Sequence, residues 1–311
     1  MQIRVLGSAA GGGYPQWNCN HPNSRRARNH DAAAPQRTQS SIAVSADGER
    51  WVLFNASPDL RQQINDNDIL QPDADGPLRA SPIAAALLTN ADVDHVAGLL
   101  NLRESQAFTL YGTPRVLSVL EANTIFNVLN PKFVNREAIT LDEEIELVDG
   151  AGEKLGIRVT PFAVPGKVAL WLEDESKGVD IGAIGEDTIA LEVKDAEGAT
   201  KFFYMPACAR MNDELEGRIR GAELIFFDGT LWVDDEMVRD GVGVKTGQRM
   251  GHMSVSGEEG TIAALADLEI KRKVFIHINT TNPILIEGTE ERAAVEAAGW
   301  EVSYDGMAVE V

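Results

Sequence analysis

The chain has 311 residues and a mass of 33.7 kDa, enough to bury a full hydrophobic core, and its 44% hydrophobic and 24% charged residues exclude a disordered or disulfide-stapled miniature protein. Lys and Arg number 28 against 48 Asp and Glu, giving a net charge of -20 and a pI near 4.6, a field that argues against nucleic acid and anionic membrane surfaces as partners. The two cysteines, Cys19 and Cys208, cannot build a disulfide framework and fit a reducing compartment, so the cytoplasm is the expected location.

Met1 to Gly7 reads as a short strand running into glycines, without the apolar core and cleavage site of a signal peptide. No stretch reaches the roughly 18 apolar residues of a membrane span, so no membrane insertion is expected. Further strands are predicted at Ser41 to Ser45, Trp51 to Asn55, Ile83 to Leu88, Phe108 to Tyr111, Ile157 to Thr160, Thr188 to Val193, Lys201 to Met205, Leu224 to Phe227 and Val274 to Ile278. Helical patterns fall at Pro114 to Leu129, Gly257 to Leu268 and Thr289 to Ala298. The strands are too many for simple βαβ alternation, which predicts an α/β protein with two mixed sheets and helices on the outer faces. No linker divides the chain, so residues 1–311 read as a single domain. Asn18 to Gln39, rich in Arg and poor in apolar residues, reads as an inserted surface loop, and Asp174 to Glu186 as a second insertion.

Gly11-Gly12-Gly13 lacks the Lys-Ser/Thr of a phosphate loop and the full spacing of a dinucleotide fingerprint, so a tight turn beneath a site is the better account. The strongest chemical signal is Leu87 to Gly98, where an apolar strand stops and Asn90, Asp92, Asp94 and His95 follow within six residues, with Gly98-Leu99-Leu100 opening a helix. Polar groups at the end of a strand share a fixed origin and can converge on one point. Such a loop serves either as a solvated acidic turn or as one side of a cation site built from carboxylate and neutral imidazole. Of the five histidines, His252 and His277 also sit where predicted elements end; each is either a hydrogen-bonded core residue or a ligand. Asp228 follows the apolar run Leu224 to Phe227 and is either a turn aspartate before Gly229 or part of the same site.

This order of signals resembles the metallo-β-lactamase superfamily and, within it, the branch that serves pyrroloquinoline quinone (PQQ) biosynthesis. The likeness is carried by Gly11-Gly12-Gly13-Tyr14-Pro15-Gln16-Trp17-Asn18-Cys19, Asp92-Val93-Asp94-His95, Met205-Pro206-Ala207-Cys208 and His277-Ile278-Asn279-Thr280-Thr281-Asn282-Pro283, and spans essentially the whole chain. It implies a four-layer αββα sandwich with the site where the two sheets meet. The superfamily's His-x-His-x-Asp-His loop is here Asn90, Asp92, Asp94 and His95; Lys167 stands where a further histidine is expected, and the bridging aspartate expected near Ala207 is absent. What remains is one half of a dinuclear site, Asp94, His95 and His277, a composition that favours iron(II) over a hydrolytic zinc pair. Asp92, Asp228 and His252 are then further ligands or proton carriers, with Asp228 and His252 acting as a pair. Cys19 and His21, with Ser24 in a position where relatives carry cysteine and His30 nearby, form a candidate structural zinc site. Cys208 reads as a buried small residue.

The resemblance implies an iron-dependent oxygenase that hydroxylates the tyrosine ring of a glutamate-tyrosine cross-linked precursor, the arginines between Arg25 and Arg37 meeting its carboxylates. A non-enzymatic carrier of PQQ or its precursor, assisting transport towards the periplasm, is the alternative, and a zinc-dependent hydrolase a third reading. Other proteins of the pathway, and further copies of the chain in an oligomer, stand as partners on this reading.

Overall fold

A computed structural model describes residues 1–168, 172 and 185–311; most of the second insertion, Asp174 to Glu186, lies outside these residues. Strands β1 (Gln2–Gly7), β2 (Ser41–Ser45), β3 (Trp51–Phe54), β4 (Ile83–Leu87), β5 (Phe108–Gly112) and β6 (Val134–Ala138) are followed by β7 (Ile145–Val148), β8 (Lys154–Ala163), β9 (Ile189–Asp195) and β10 (Thr200–Met205). The chain ends with β11 (Leu224–Asp228), β12 (Arg272–Ile276), β13 (Trp300–Val302) and β14 (Ala308–Glu310). They form two sheets, ordered β14-β1-β2-β3-β4-β5-β6 and β13-β12-β11-β10-β9-β8-β7.

Each sheet is antiparallel in one half and parallel in the other: β3 to β6 run parallel in the first sheet, β10 to β13 in the second. Side-chain alternation sorts the strands into layers. In β11, Leu224 and Phe226 join Val5, Phe54 and Tyr204 in the core between the sheets, whereas Ile225 and Phe227 face an outer core with Val295 and Trp300. A third core, around Leu53, Leu110 and Leu120, covers the outer face of the first sheet. Three apolar cores between sheets and helices make the four-layer αββα arrangement of the metallo-β-lactamase fold.

Asn18 to Gln39, expected as an inserted surface loop, lies mostly at the surface but contains a short helix. Pro22–Arg28 forms a helix with Pro22 in its first turn and His21 at its N-cap, and Ser24, Ala27, Ala34 and Arg37 are buried. A seven-residue helix that turns only Ser24 and Ala27 inward has too few apolar positions to show a 3.6-residue period. Other boundaries differ as well. The helix from Pro114 stops at Ala122 and gives way to a 3₁₀ turn at Thr124–Val128, and within Gly257 to Leu268 only Thr261–Ala264 is α-helical. Gly98 lies in the 3₁₀ turn Ala97–Leu102, which follows a single α-turn, Val93–Val96. β12 ends at Ile276, so His277 is the first residue beyond the strand. Among the described residues no helix is long and apolar enough to cross a membrane.

Candidate metal centre

The candidate residues gather where the parallel strands of both sheets stop, the edge at which open α/β sheets place ligands. From the first sheet, β4 leads to Asn90, Asp92, Asp94 and His95; from the second, β11 ends in Asp228 and β12 hands over to His277. Backbone bridges close the seam, Asn90 pairing with Thr188 and Ala9 with Ile278, so the loop after β1 lies against the His277 turn. Gly11 belongs to this wall as a tight turn: a Cβ there would stand 3.3 Å from Asp94 Oδ2.

Asp94, His95 and His277 bring one carboxylate oxygen and two imidazole nitrogens within 4.8 Å of one another. His95 Nδ1 lies 2.7 Å from Asn90 Oδ1, an acceptor, so Nδ1 carries the proton and Nε2 keeps a lone pair. That Nε2 is buried without a hydrogen-bond partner, 3.9 Å from Asp94 Oδ2. A buried polar atom with no partner is costly unless something else satisfies it, and a cation does. His277 is held likewise: Nδ1 meets Thr230 Oγ1 at 2.9 Å, and Nε2 is 3.1 Å from Asp94 Oδ2. Its φ of 59° puts a non-glycine residue in the left-handed region, a strained conformation of the kind that clusters at functional sites. The donor set fits a divalent cation, with each ring's proton fixed on the far nitrogen.

The electrostatics treat the two rings differently. Burial, the largest effect, pushes the His95 pKa down and favours the neutral ring, although Asp94 opposes it. Burial also resists charge on His277, but the hydrogen bond and charge of Asp94 outweigh it and raise that pKa. Burial penalises the Asp94 carboxylate, yet His95 and His277 together hold it ionised, well below the usual range.

Asp228, His252 and His277 make a second cluster. Asp228 is fully buried and its oxygens are taken: Oδ2 accepts from His252 Nδ1 at 2.6 Å and Cys208 N at 3.1 Å, Oδ1 from Thr230 Oγ1 at 2.6 Å and Thr230 N at 3.0 Å. A carboxylate so occupied orients neighbours. It fixes the His252 tautomer with Nε2 as the acceptor, and the His252 ring stacks on His277 at 5.1 Å between centroids. Thr230, a residue that sequence reasoning passed over, links the cluster through one hydroxyl; its only linear signal is its place two residues after Asp228. Asp92 lies on the cavity wall, 3.9 Å from Lys167 Nζ.

Other candidates sit apart. His21 Nδ1 accepts from Asn23 N at 3.3 Å and Nε2 pairs with Asp240 at 3.1 Å, Ser24 Oγ bonds Thr280 Oγ1, and His30 is exposed. Among the described residues no third ligand gathers with Cys19 and His21. Cys208 is buried in the outer core, and burial pushes its thiol up to about 12. The arginines do not line the metal cavity, contrary to expectation: Arg37 is buried on Ser303 O and Ser8 Oγ, Arg28 binds the carbonyls of Gln16 and Cys19, and Arg26 pairs with Asp31. Their guanidinium groups hold the Asn18–Gln39 segment together.

Residues 50–278 match the family model of the beta-lactamase superfamily domain. The chain is 54% identical over 309 residues to coenzyme PQQ synthesis protein B of Xanthomonas campestris pv. campestris, with 99% of each chain covered. It is similar to the solved structure of Zn(2+)-bound PqqB from Methylobacterium extorquens, with a TM-score of 0.94 and 53% identity over the whole of both chains. A diphosphatase of the PhnP family shares the fold at a TM-score of 0.69 and 20% identity, over 100% of this chain and 96% of that one.

Proposed function

The chain belongs to the coenzyme PQQ synthesis protein B family of the beta-lactamase superfamily, and on that premise we propose that it is an iron(II)-dependent hydroxylase acting on the tyrosine ring of a glutamate-tyrosine cross-linked precursor of PQQ. The observation that carries this reading is the donor set: two imidazoles and one carboxylate, Asp94, His95 and His277, around a partnerless buried nitrogen. A facial set of two histidines and one carboxylate with open positions is characteristic of non-haem iron(II) oxygenases. Iron(II) held there would supply dioxygen activation.

The chain's own residues do the rest. Asn90 and Thr230 fix the ring protons of His95 and His277, so both imidazoles present lone pairs to one centre. The adjoining cavity, of about 360 Å³, has the size range of a small-molecule site. Ring hydroxylation replaces a C–H bond by C–O, so a ring proton must leave. His252, held by Asp228 with Nε2 as its acceptor, lines that cavity and serves as the base.

The relative from Methylobacterium extorquens was solved with Zn(2+), which favours a second reading in which zinc occupies this chain's site and the activity is hydrolytic, or the protein carries PQQ or its precursor. Protein loaded anaerobically with iron(II) and then given the precursor, a reductant and isotopically labelled dioxygen separates the readings. The hydroxylase yields a product heavier by labelled oxygen. Turnover only with zinc, or tight binding with no new product, overturns it.

A further inference from the structure

We infer that Gln16 and Asn279 form an ammonium subsite at the neck between the metal cavity and a second cavity beside it, holding an amino group of the substrate; the identity of that substrate rests on the hydroxylase reading above. The second cavity, of about 520 Å³, runs from Asn18 and His21 to Asp240 and Thr281. It shares Gln16, Met237 and Asn279 with the wall of the metal cavity, so these three side chains stand where the two meet. Among the described residues lining the second cavity there is no Lys or Arg, whereas Asp240 is there. A precursor made from two amino acids carries amino groups, and the field of a protein of net charge -20 favours a cation.

Both amides are committed in the same sense. Gln16 Nε2 donates to Asn18 Oδ1 at 2.9 Å, and Asn279 Nδ2 donates to Thr281 Oγ1 at 2.7 Å. Each amide has thus given its NH2 end to the protein, and among the described residues no donor meets Gln16 Oε1 or Asn279 Oδ1. Asn279 is fixed from behind. Thr281 Oγ1 bonds Glu236 Oε1 at 2.5 Å, and Glu236 Oε2 accepts from Trp232 N at 2.7 Å. A hydroxyl oxygen has two lone pairs, so Thr281 accepts from Asn279 Nδ2 whether the Glu236 carboxyl is ionised or neutral. The Asn279 backbone is held as well, its N–H donating to Thr230 O at 3.0 Å and its carbonyl accepting from Asn282 N at 2.9 Å. Gln16 rests on Gly12, at φ 93°, where a Cβ would stand 2.8 Å from Gln16 Cγ. Two carbonyl oxygens whose own NH2 groups are engaged call for a donor: an ammonium, with three donors and no acceptor, is their complement, and an anion is not. Asn279 lies two residues beyond His277, so one short stretch of backbone ties the subsite to a metal ligand. Acceptors set in place before binding fix the orientation of what they hold.

Calorimetric binding to the metal-loaded protein at neutral pH tests this with two probes, the glutamate-tyrosine precursor and the same molecule with its amino groups replaced by hydrogen. Wild type should prefer the amine by roughly 10- to 100-fold, the usual worth of hydrogen bonds to a charged group. Gln16→Met and Asn279→Leu should each lose most of that preference. Gln16→Glu keeps the acceptor and adds a charge, so it should raise the preference, a gain that a merely structural glutamine would not give. Should Asn279→Leu lose its metal, the two Gln16 variants decide alone. The subsite is overturned if wild type binds the two probes alike, or binds neither, if Gln16→Met or a metal-loaded Asn279→Leu keeps the full preference, or if Gln16→Glu fails to raise it. If the preference exists and depends on these amides while no oxygenated product forms, the hydroxylase reading falls and the subsite stands; oxygenated product without the preference gives the reverse.

Discussion

Two regions of this molecule carry histidine beside another metal-capable residue, and only one of them leaves those atoms for a cation. At Asp94, His95 and His277, each ring spends one nitrogen on Asn90 or Thr230 and turns the other towards a common centre. At Cys19 and His21, both nitrogens of His21 are used within the fold, one capping the Pro22–Arg28 helix and one pairing with Asp240. The difference lies in what delivers the residues. Strand ends from two facing sheets aim side chains at the seam between them, whereas residues in a connecting segment are recruited to hold that segment in place.

Removing a ligand from the first region is the harshest way to break this contrast. A structural zinc site is worth about 10–16 kcal/mol over four ligands, so one ligand carries about 2.5–4 kcal/mol, roughly a hundred- to a thousandfold in affinity. His277→Ala and His95→Ala should each lose metal to that extent in a zinc titration, and elemental analysis after dialysis should find the variants nearly metal-free. Either variant binding as wild type does would show that the cation sits elsewhere.

Glu236 lies between the two regions and sharpens the contrast by a second route. Its helix, Glu236–Arg239, borders the metal cavity through Met237, and Asp240 just beyond it meets His21. The carboxyl accepts from Thr281 Oγ1 at 2.5 Å and Trp232 N at 2.7 Å, and burial raises its pKa from 4.5 to about 7. Folding therefore favours the neutral acid. Between these values the folded state binds more protons than the unfolded one, so this group's contribution falls as pH rises from 4.5 to about 7, by about 3 kcal/mol in all. Glu236→Gln cannot titrate. The stability of the variant relative to wild type, from urea unfolding, should improve by about that amount from acid to neutral pH, and an unchanged difference would show that the carboxyl is not held neutral.

What could be read in the chain follows the same division. Asp94, His95, Asp228 and His277 stood out because an apolar strand stops abruptly beside each of them. The interior strands were legible from their β-branched runs. β6, with the sequence VNREA, and the three-residue strands β13 and β14 escaped because edge strands are short or polar. Thr230 and Glu236 join the picture through contacts with distant residues, His277 and Thr281, which no local pattern records. The Pro22–Arg28 helix was hidden for a related reason: its inward face is Ser24 and Ala27, and what holds it is polar, Tyr14 Oη on Asn23 O and Arg28 on the carbonyls of Gln16 and Cys19.

The mildest test addresses that hidden segment. If His21 serves as a cap and an ion-pair partner, His21→Ala should cost about 1 kcal/mol, the usual worth of an N-cap side chain, seen as a small fall in the urea midpoint. Metal content per chain should not change, either in this variant or in Cys19→Ser. A loss of one equivalent of zinc from both variants together would mean that the segment gathers a cation after all, and the line drawn between strand-end ligands and segment-holding ones would have to be given up. A change in stability without a change in metal content places the work of His21 in the fold and leaves cation binding to the residues at the seam.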